Sequence, residues 1–248
     1  GALAELCPAA DLIYAADTAH VPYGNKSPEQ IRARVLAMGQ ALINEGCSTL
    51  VVACNTATAE AIEALRAAHP EIPVVGIEPG IKPAAINTQS GKIAVLATAA
   101  TAKSQRLADL IGRHAPHTTV HLIPCHGWAT EVEALNLSAP SIIEDIKRDL
   151  LPLVDQGVDQ VVLGCTHYDF LAPTLSRMIG GKAQLVGVAG AVARQACKVA
   201  GAESLTGTGS IRLMSTMNPV RMTEAARILG LGYMLDRMHS APEPLTAD

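Results

Sequence analysis

The chain has 248 residues, 49% of them hydrophobic and 17% charged, with a formal net charge of −4. A chain of this length buries a substantial core as one large domain or two smaller ones, and its composition excludes intrinsic disorder. Mild acidity, the lack of a long basic run and 2% aromatic content argue against nucleic acid as a primary partner. No apolar run approaches the ~20 residues of a membrane span, which argues against a membrane partner.

Short apolar runs alternate with helical patterns along the chain. Strands are predicted at Leu12–Ala16, Leu50–Ala53, Val74–Ile77, Ile93–Ala97, Val120–Ile123, Val161–Leu163, Leu185–Val188 and Ile211–Met214. Their apolar character is continuous rather than alternating, as in parallel strands covered on both faces. Ser27-Pro28-Glu29-Gln30 reads as a capping box that opens a helix running to Glu45 and stopping at Gly46. Helices are also expected over Thr56–Arg66 and roughly Leu171–Ile179. A second capping box is read at Ser141-Ile142-Ile143-Glu144, with its helix ending near Gly157. Strand–helix alternation of this kind predicts an α/β fold with mainly parallel sheets.

The chain echoes itself. Glu45-Gly46 leads through three residues to Leu50-Val51-Val52-Ala53-Cys54-Asn55-Thr56. Gln156-Gly157 leads through three residues to Val161-Val162-Leu163-Gly164-Cys165-Thr166-His167. Any two buried strands look alike, but a cysteine just past both strands is a stronger coincidence. It points to two pseudo-symmetric α/β halves, with the turn-rich Gly76–Pro83 segment as the crossover. A cleft between the halves would hold the active site, with one thiol facing it from each side.

Six cysteines are present: Cys7, Cys47, Cys54, Cys125, Cys165 and Cys197. The wide spacing in a long chain without a visible export signal predicts reduced thiols and a cytoplasmic location. No CxxC pair occurs and the histidines are scattered, so no metal site is expected. Ligands of open α/β sheets bind outside the carboxyl ends of the strands, where Cys54 and Cys165 fall. A following helix N-terminus favours the reactive thiolate. Two such thiols suit removal of a proton from one face of a carbon and its return to the other. The four other cysteines read as small buried hydrophobes.

Several neighbours supply polar groups. His167 either assists the second thiol or binds an anionic substrate as imidazolium. Asn55, Thr56 and Thr166 offer amide and hydroxyl groups, and also suit helix capping. The loop Asp17–Lys26 follows the Leu12 strand, with Tyr23 offering a hydroxyl and Pro22 and Gly24 shaping the turn. Gly207-Thr208-Gly209 leads into a strand rather than a helix, so a nucleotide or pyridoxal phosphate cofactor has no support.

Ala16–Gly24, Val52–Ala57 and Leu163–Tyr168, together with Ile93–Thr98 and Gly207–Arg212, resemble glutamate racemase, a cofactor-independent member of the aspartate/glutamate racemases. The resemblance covers nearly the whole chain. It implies that Cys54 and Cys165 are the catalytic acid/bases, with His167 and Glu133 beside the second. It implies further that Tyr23, Gly24, Asn55, Thr56, Thr166 and His167 hold the substrate, with Thr98 and Thr101 as weaker candidates for its carboxylate. It implies a first domain of residues 1–79 plus 190–248 and a second of 80–189, and conversion of L- to D-glutamate without cofactor for peptidoglycan. Glutamate is then the small-molecule partner, and a homodimer is open as an assembly. Members of that family begin with a strand ending in Asp-Ser-Gly, whereas this chain begins at Gly1. A sheet edge lacking a neighbour is therefore expected. The Cys125-His126-Gly127-Trp128 stretch and an absent acidic residue near Leu185–Ala189 also depart from the pattern. Two other functions stay open at this point: a non-catalytic small-acid or partner-binding protein on the same fold, and a racemase for aspartate or another carboxylate.

Overall fold

The computed structural model describes residues 1–247. In chain order its elements are α1 (Ala2–Leu6), β1 (Leu12–Ala16), α2 (Pro28–Asn44), β2 (Leu50–Val52), α3 (Asn55–Ala68), β3 (Val74–Gly76), α4 (Ile81–Asn87), β4 (Lys92–Ala97), α5 (Ala99–Lys103), α6 (Gln105–His114), β5 (Thr119–Pro124), α7 (Trp128–Glu133), α8 (Pro140–Asp145), α9 (Leu151–Asp155), β6 (Gln160–Leu163), α10 (Ala172–Ile179), β7 (Gln184–Val186), α11 (Ala189–Val199), β8 (Ile211–Ser215), α12 (Arg221–Ile228) and β9 (Glu243–Pro244). All strand pairings are parallel. The α/β class read from the apolar runs is the class observed. Among the described strands only β9, two residues long, was not read from the sequence.

The chain divides into two compact units. The first comprises 1–52, 60–76 and 189–248, and the second 53–59 and 77–188. The segment Ala53–Ala59, expected in the first domain, belongs to the second unit, because Thr56 hydrogen-bonds there to Thr98 and Thr101.

In the first unit the strands form two sheets, ordered β1-β8-β9 and β2-β3. β1 is only half-buried. Ile211 and Leu213 on β8 pack with Ala4 and Met222 on one side, while Met214 packs with Ala41, Leu245 and Ala247 on the other. α2 starts as expected: Ser27 accepts from the Gln30 amide, and the Gln30 side chain accepts from the Ser27 amide. The N-terminal segment is tied down by Arg237, whose guanidinium donates to the carbonyls of Ala4, Pro8 and Gly209.

Two expectations are corrected. Cys7, at the end of α1, and Cys197, in α11, form a disulfide with Cα atoms 6.8 Å apart, where reduced thiols were expected. The spacing rule fails because α1 packs against α11 although the two cysteines are 190 residues apart in sequence. Ser141 is not a cap either. α8 begins at Pro140, with its N-cap at Ala139 and no side-chain cap, since proline at the first turn needs no N–H partner.

The second unit holds a four-stranded parallel sheet, ordered β5-β4-β6-β7. β4 shows why its sequence reads as a continuous apolar run. Ala94 and Leu96 enter a core with Val161, Leu163 and Leu175, while Ile93, Val95 and Ala97 enter another with Val162, Leu107 and Leu110. Each buried Val, Leu or Ile contributes ~1.5–3 kcal/mol. Thus α6, which follows β4, covers one face, and α10, which follows β6, covers the other. The winding direction reverses between β4 and β6, so the crevice at their carboxyl ends is where this topology places a ligand.

Candidate active site

Thr98 follows β4 and Cys165 follows β6, at the two lips of that crevice. Gly164 is what allows the second strand to end so close to the first. Its amide donates to the Leu96 carbonyl at 2.7 Å, and a Cβ at Gly164 would stand 2.7 Å from that oxygen and 3.2 Å from the Ala97 Cβ. Any side chain larger than hydrogen would push Cys165 away from β4.

Three buried hydroxyls meet beside the crevice. Thr56 Oγ1 lies 3.0 Å from Thr98 Oγ1 and 3.1 Å from Thr101 Oγ1, and Thr98 donates to Thr101 at 3.1 Å. Thr166 Oγ1 donates to the Ala53 carbonyl at 3.1 Å. That bond joins the neighbour of Cys165 to the neighbour of Cys54, so the two echoed thiols lie in one compact unit. The side-chain amide of Asn55, 4% exposed, has neither its oxygen nor its nitrogen hydrogen-bonded. An unsatisfied buried amide costs roughly 1–3 kcal/mol, which a polar ligand group meeting it would offset.

The thiols differ in their surroundings. Cys54 caps α3, its sulfur accepting from the Ala57 amide at 3.4 Å. The expected effect of the helix N-terminus is real but loses: burial pushes the thiol up to about 11 against the pull of the Ala57 and Thr56 donors, and the nearby Cys165 adds to the rise. Cys165 faces His167 Nδ1 at 3.7 Å, and the other ring nitrogen of His167 donates to Glu133 at 2.6 Å. Burial opposes charge on His167, but the hydrogen bonds to Cys165 and Glu133 prevail and raise it to about 10. His167 is therefore an imidazolium at neutral pH.

Cys165 is followed by a 3-10 turn, Thr166–Leu171, before α10 begins, so it lacks the direct helix cap of Cys54. Cys125 is buried, and burial drives its thiol far above the ordinary range. Cys47 is half-buried, and burial likewise raises it.

Tyr23 and Gly24 lie in the first unit, on the 3-10 turn Tyr23–Asn25. The Tyr23 hydroxyl donates to Asp17 at 2.7 Å. Asp17 also takes both arms of Arg34 at 3.0 Å, Thr216 Oγ1 at 3.0 Å and His20 at 2.9 Å. Burial opposes its charge, yet these partners, Arg34 foremost, hold it at about 2. Sequence reading missed Arg34 and Thr216 in this arrangement. The available signal was an aspartate directly after an apolar strand, which needs a buried cation. Among the described residues no group of three His, Cys, Asp or Glu side chains could hold a metal.

The family model described as Asp/Glu/Hydantoin racemase matches residues 1–196. A glutamate racemase of Pseudomonas aeruginosa is 41% identical over 222 residues, covering 90% of this chain and 84% of that protein. One from Ralstonia nicotianae is 39% identical over 236 residues, covering 93% and 84%. Among solved structures, Escherichia coli glutamate racemase in complex with L-glutamate and the activator UDP-MurNAc-Ala superposes with a TM-score of 0.82 at 29% identity, covering 99% of this chain and 92% of that one. The glutamate racemase of Aquifex pyrophilus gives 0.74 at 30% identity, covering 92% and 88%.

Proposed function

The chain belongs to the aspartate/glutamate/hydantoin racemase family, and we propose that Cys54 and Cys165 are the two acid/bases by which it interconverts L- and D-glutamate. It is an amino-acid racemase, an isomerase, and D-glutamate for peptidoglycan is the product this enzyme family supplies. The observation that carries the mechanism is the placement of both thiols beside one cluster of polar groups: the unpartnered Asn55 amide, the Thr56 hydroxyl and Thr166.

The chemistry follows from the weak acidity of the α-proton. One cysteine, as thiolate, takes that proton from one face of the α-carbon. The other, as thiol, delivers a proton to the opposite face, so that configuration inverts and no atom is gained or lost. Cys54 carries its proton at neutral pH in the free protein and is the ready donor. When Cys165 loses its proton, the His167 imidazolium faces the charge, and Glu133 holds the ring in place. The carbanion character that develops at the α-carbon spreads into the carboxylate, where the Asn55 amide and the Thr56 hydroxyl are the donors proposed, while Thr166, its proton given to the Ala53 carbonyl, holds the two thiol loops together. Tyr23 and Gly24 complete substrate binding in this reading, which asks for no cofactor. It places the reaction in the cytoplasm and admits a homodimer, to be checked by sedimentation. No helix among the described residues is long and apolar enough to cross a membrane.

The test is racemisation of L-glutamate in deuterium oxide. Product D-glutamate should carry one deuterium at the α-carbon. Exchange with aspartate alone would reassign the substrate, and absence of exchange with either amino acid would sink the two-thiol reading.

A further inference from the structure

Trp128 is the chain's single tryptophan, and it is 2% exposed. It opens α7, five residues before Glu133, and points into the core while Glu133 reaches the His167 ring. Its indole N–H donates to Asp145 Oδ2 at 2.9 Å. The other Asp145 oxygen pairs with Arg148 at 2.7 Å, so the acceptor is itself held. The indole ring meets the Tyr168 ring edge-to-face, with centroids 5.4 Å apart and planes at 62°. Tyr168 is the residue after His167. It is fully buried, and its hydroxyl donates to the Cys125 carbonyl at 3.3 Å.

The ion pair in the site is therefore made by two partly open side chains, Glu133 at 38% and His167 at 25% exposure. They stand on two separate short elements, α7 and the Thr166–Leu171 turn. An exposed pair joining two such elements is weak by itself. What joins the elements underneath is the aromatic contact between Trp128 and Tyr168, one ring from each. Aromatic pairs of this geometry contribute beyond the area they bury and fix a relative orientation.

We propose that Trp128 is a positioning residue for the racemase reaction: its contact with Tyr168 and its hydrogen bond to Asp145 lock α7 against the Thr166–Leu171 turn and so set the distance between Glu133 and His167. The proposal rests on the reading in which Glu133, His167 and Cys165 act together. The groups that face the His167 ring are Glu133 and Cys165, so loosening α7 leaves the ring with Cys165 alone.

The experiment compares Trp128→Phe, Trp128→Leu and Asp145→Asn, each with and without Glu133→Gln, by kcat, KM, melting temperature and the alkaline limb of the pH–rate profile. Trp128→Leu should lower kcat about tenfold, since misplacement of a group by ~1 Å can cost up to ~10²-fold. KM should change little, and the alkaline limb should move to lower pH. Trp128→Phe keeps a ring against Tyr168 and should lose less. In the Glu133→Gln background the Trp128 substitutions should add little, because they act through Glu133. If the Trp128 variants only melt lower while the alkaline limb stays in place, or if their effects multiply with that of Glu133→Gln, positioning is overturned and the indole is merely structural. If Glu133→Gln alone leaves kcat and the limb unchanged, the underlying reading of the site fails and the proposal falls with it, a result distinct from a failure at Trp128.

Discussion

Glu133 accepts a 2.6 Å hydrogen bond from one ring nitrogen of His167, while the other ring nitrogen faces the Cys165 sulfur at 3.7 Å. The sharing of one ring between a carboxylate and a thiol explains why His167 keeps its proton well above its ordinary 6.5. Because the folded value is raised, to about 10, the stabilisation is complete below pH 6.5 and is lost as pH rises through about 10. The melting temperature should therefore fall progressively as pH rises from 6.5 to about 10 in the native protein. Glu133→Gln should shrink that fall, and imidazole proton resonances should place the His167 titration at lower pH. A titration unchanged by Glu133→Gln would refute the pairing.

Cys54→Ala and Cys165→Ala should each reduce racemisation by at least ~10²–10⁴-fold, the range supplied by a general acid or base. Polarimetry in both directions is the check. Near-normal turnover in either variant would rule out the two-thiol mechanism. Cys47→Ser should remain active, since its thiol has no tie to the crevice.

Gly164→Ala tests the close approach of β6 to β4. Its methyl group would collide with the Leu96 carbonyl, so the Cys165 end of the strand must move. Overpacking of this kind costs about 1–3 kcal/mol. A lower urea midpoint with a kcat loss larger than that of an Ala substitution at a distant exposed site is expected. Full activity would mean that the strand end tolerates displacement.

The acid side is set by Asp17, 5% exposed at its side chain, against Arg34 at 16%. Its folded value of about 2 lies below the ordinary 3.8. Its contribution is thus present above pH 3.8 and is lost as pH falls through about 2. Removing the cation by Arg34→Met leaves a buried charge and should cost about 3 kcal/mol in urea unfolding at pH 7. An unchanged urea midpoint in Arg34→Met would refute the pairing of Arg34 with Asp17.

The Cys7–Cys197 disulfide closes a very long loop. Under denaturing, non-reducing conditions, alkylation should count four thiols, rising to six after reduction. Reduction should lower stability by roughly 2–5 kcal/mol while leaving kcat unchanged, since neither cysteine adjoins the crevice residues. Six thiols without reductant would show that the bond does not form.

The α/β class was legible in the chain alone, because the central strands β4 and β6 are buried on both faces and so write uninterrupted apolar runs, as in Ile93–Ala97. The sequence also marked Cys54 and Cys165, since the echo places the same residue just past two similar strands, and Pro28 after Ser27 fixed the start of α2 through local chemistry. Tertiary structure decided what depends on residues far apart in the chain. The pairing of Cys7 with Cys197 follows from how α1 packs, which no spacing encodes. Ser141 had the right local pattern for a cap, yet Pro140 started the helix first. The helix end at Cys54 predicted an acidified thiol, but burial, a property of the packed environment, reversed the sign. Arg34 on Asp17, and Trp128 against Tyr168, are contacts between elements. They became visible only when the chain had brought side chains of opposite charge, or of complementary shape, within a few ångströms of one another.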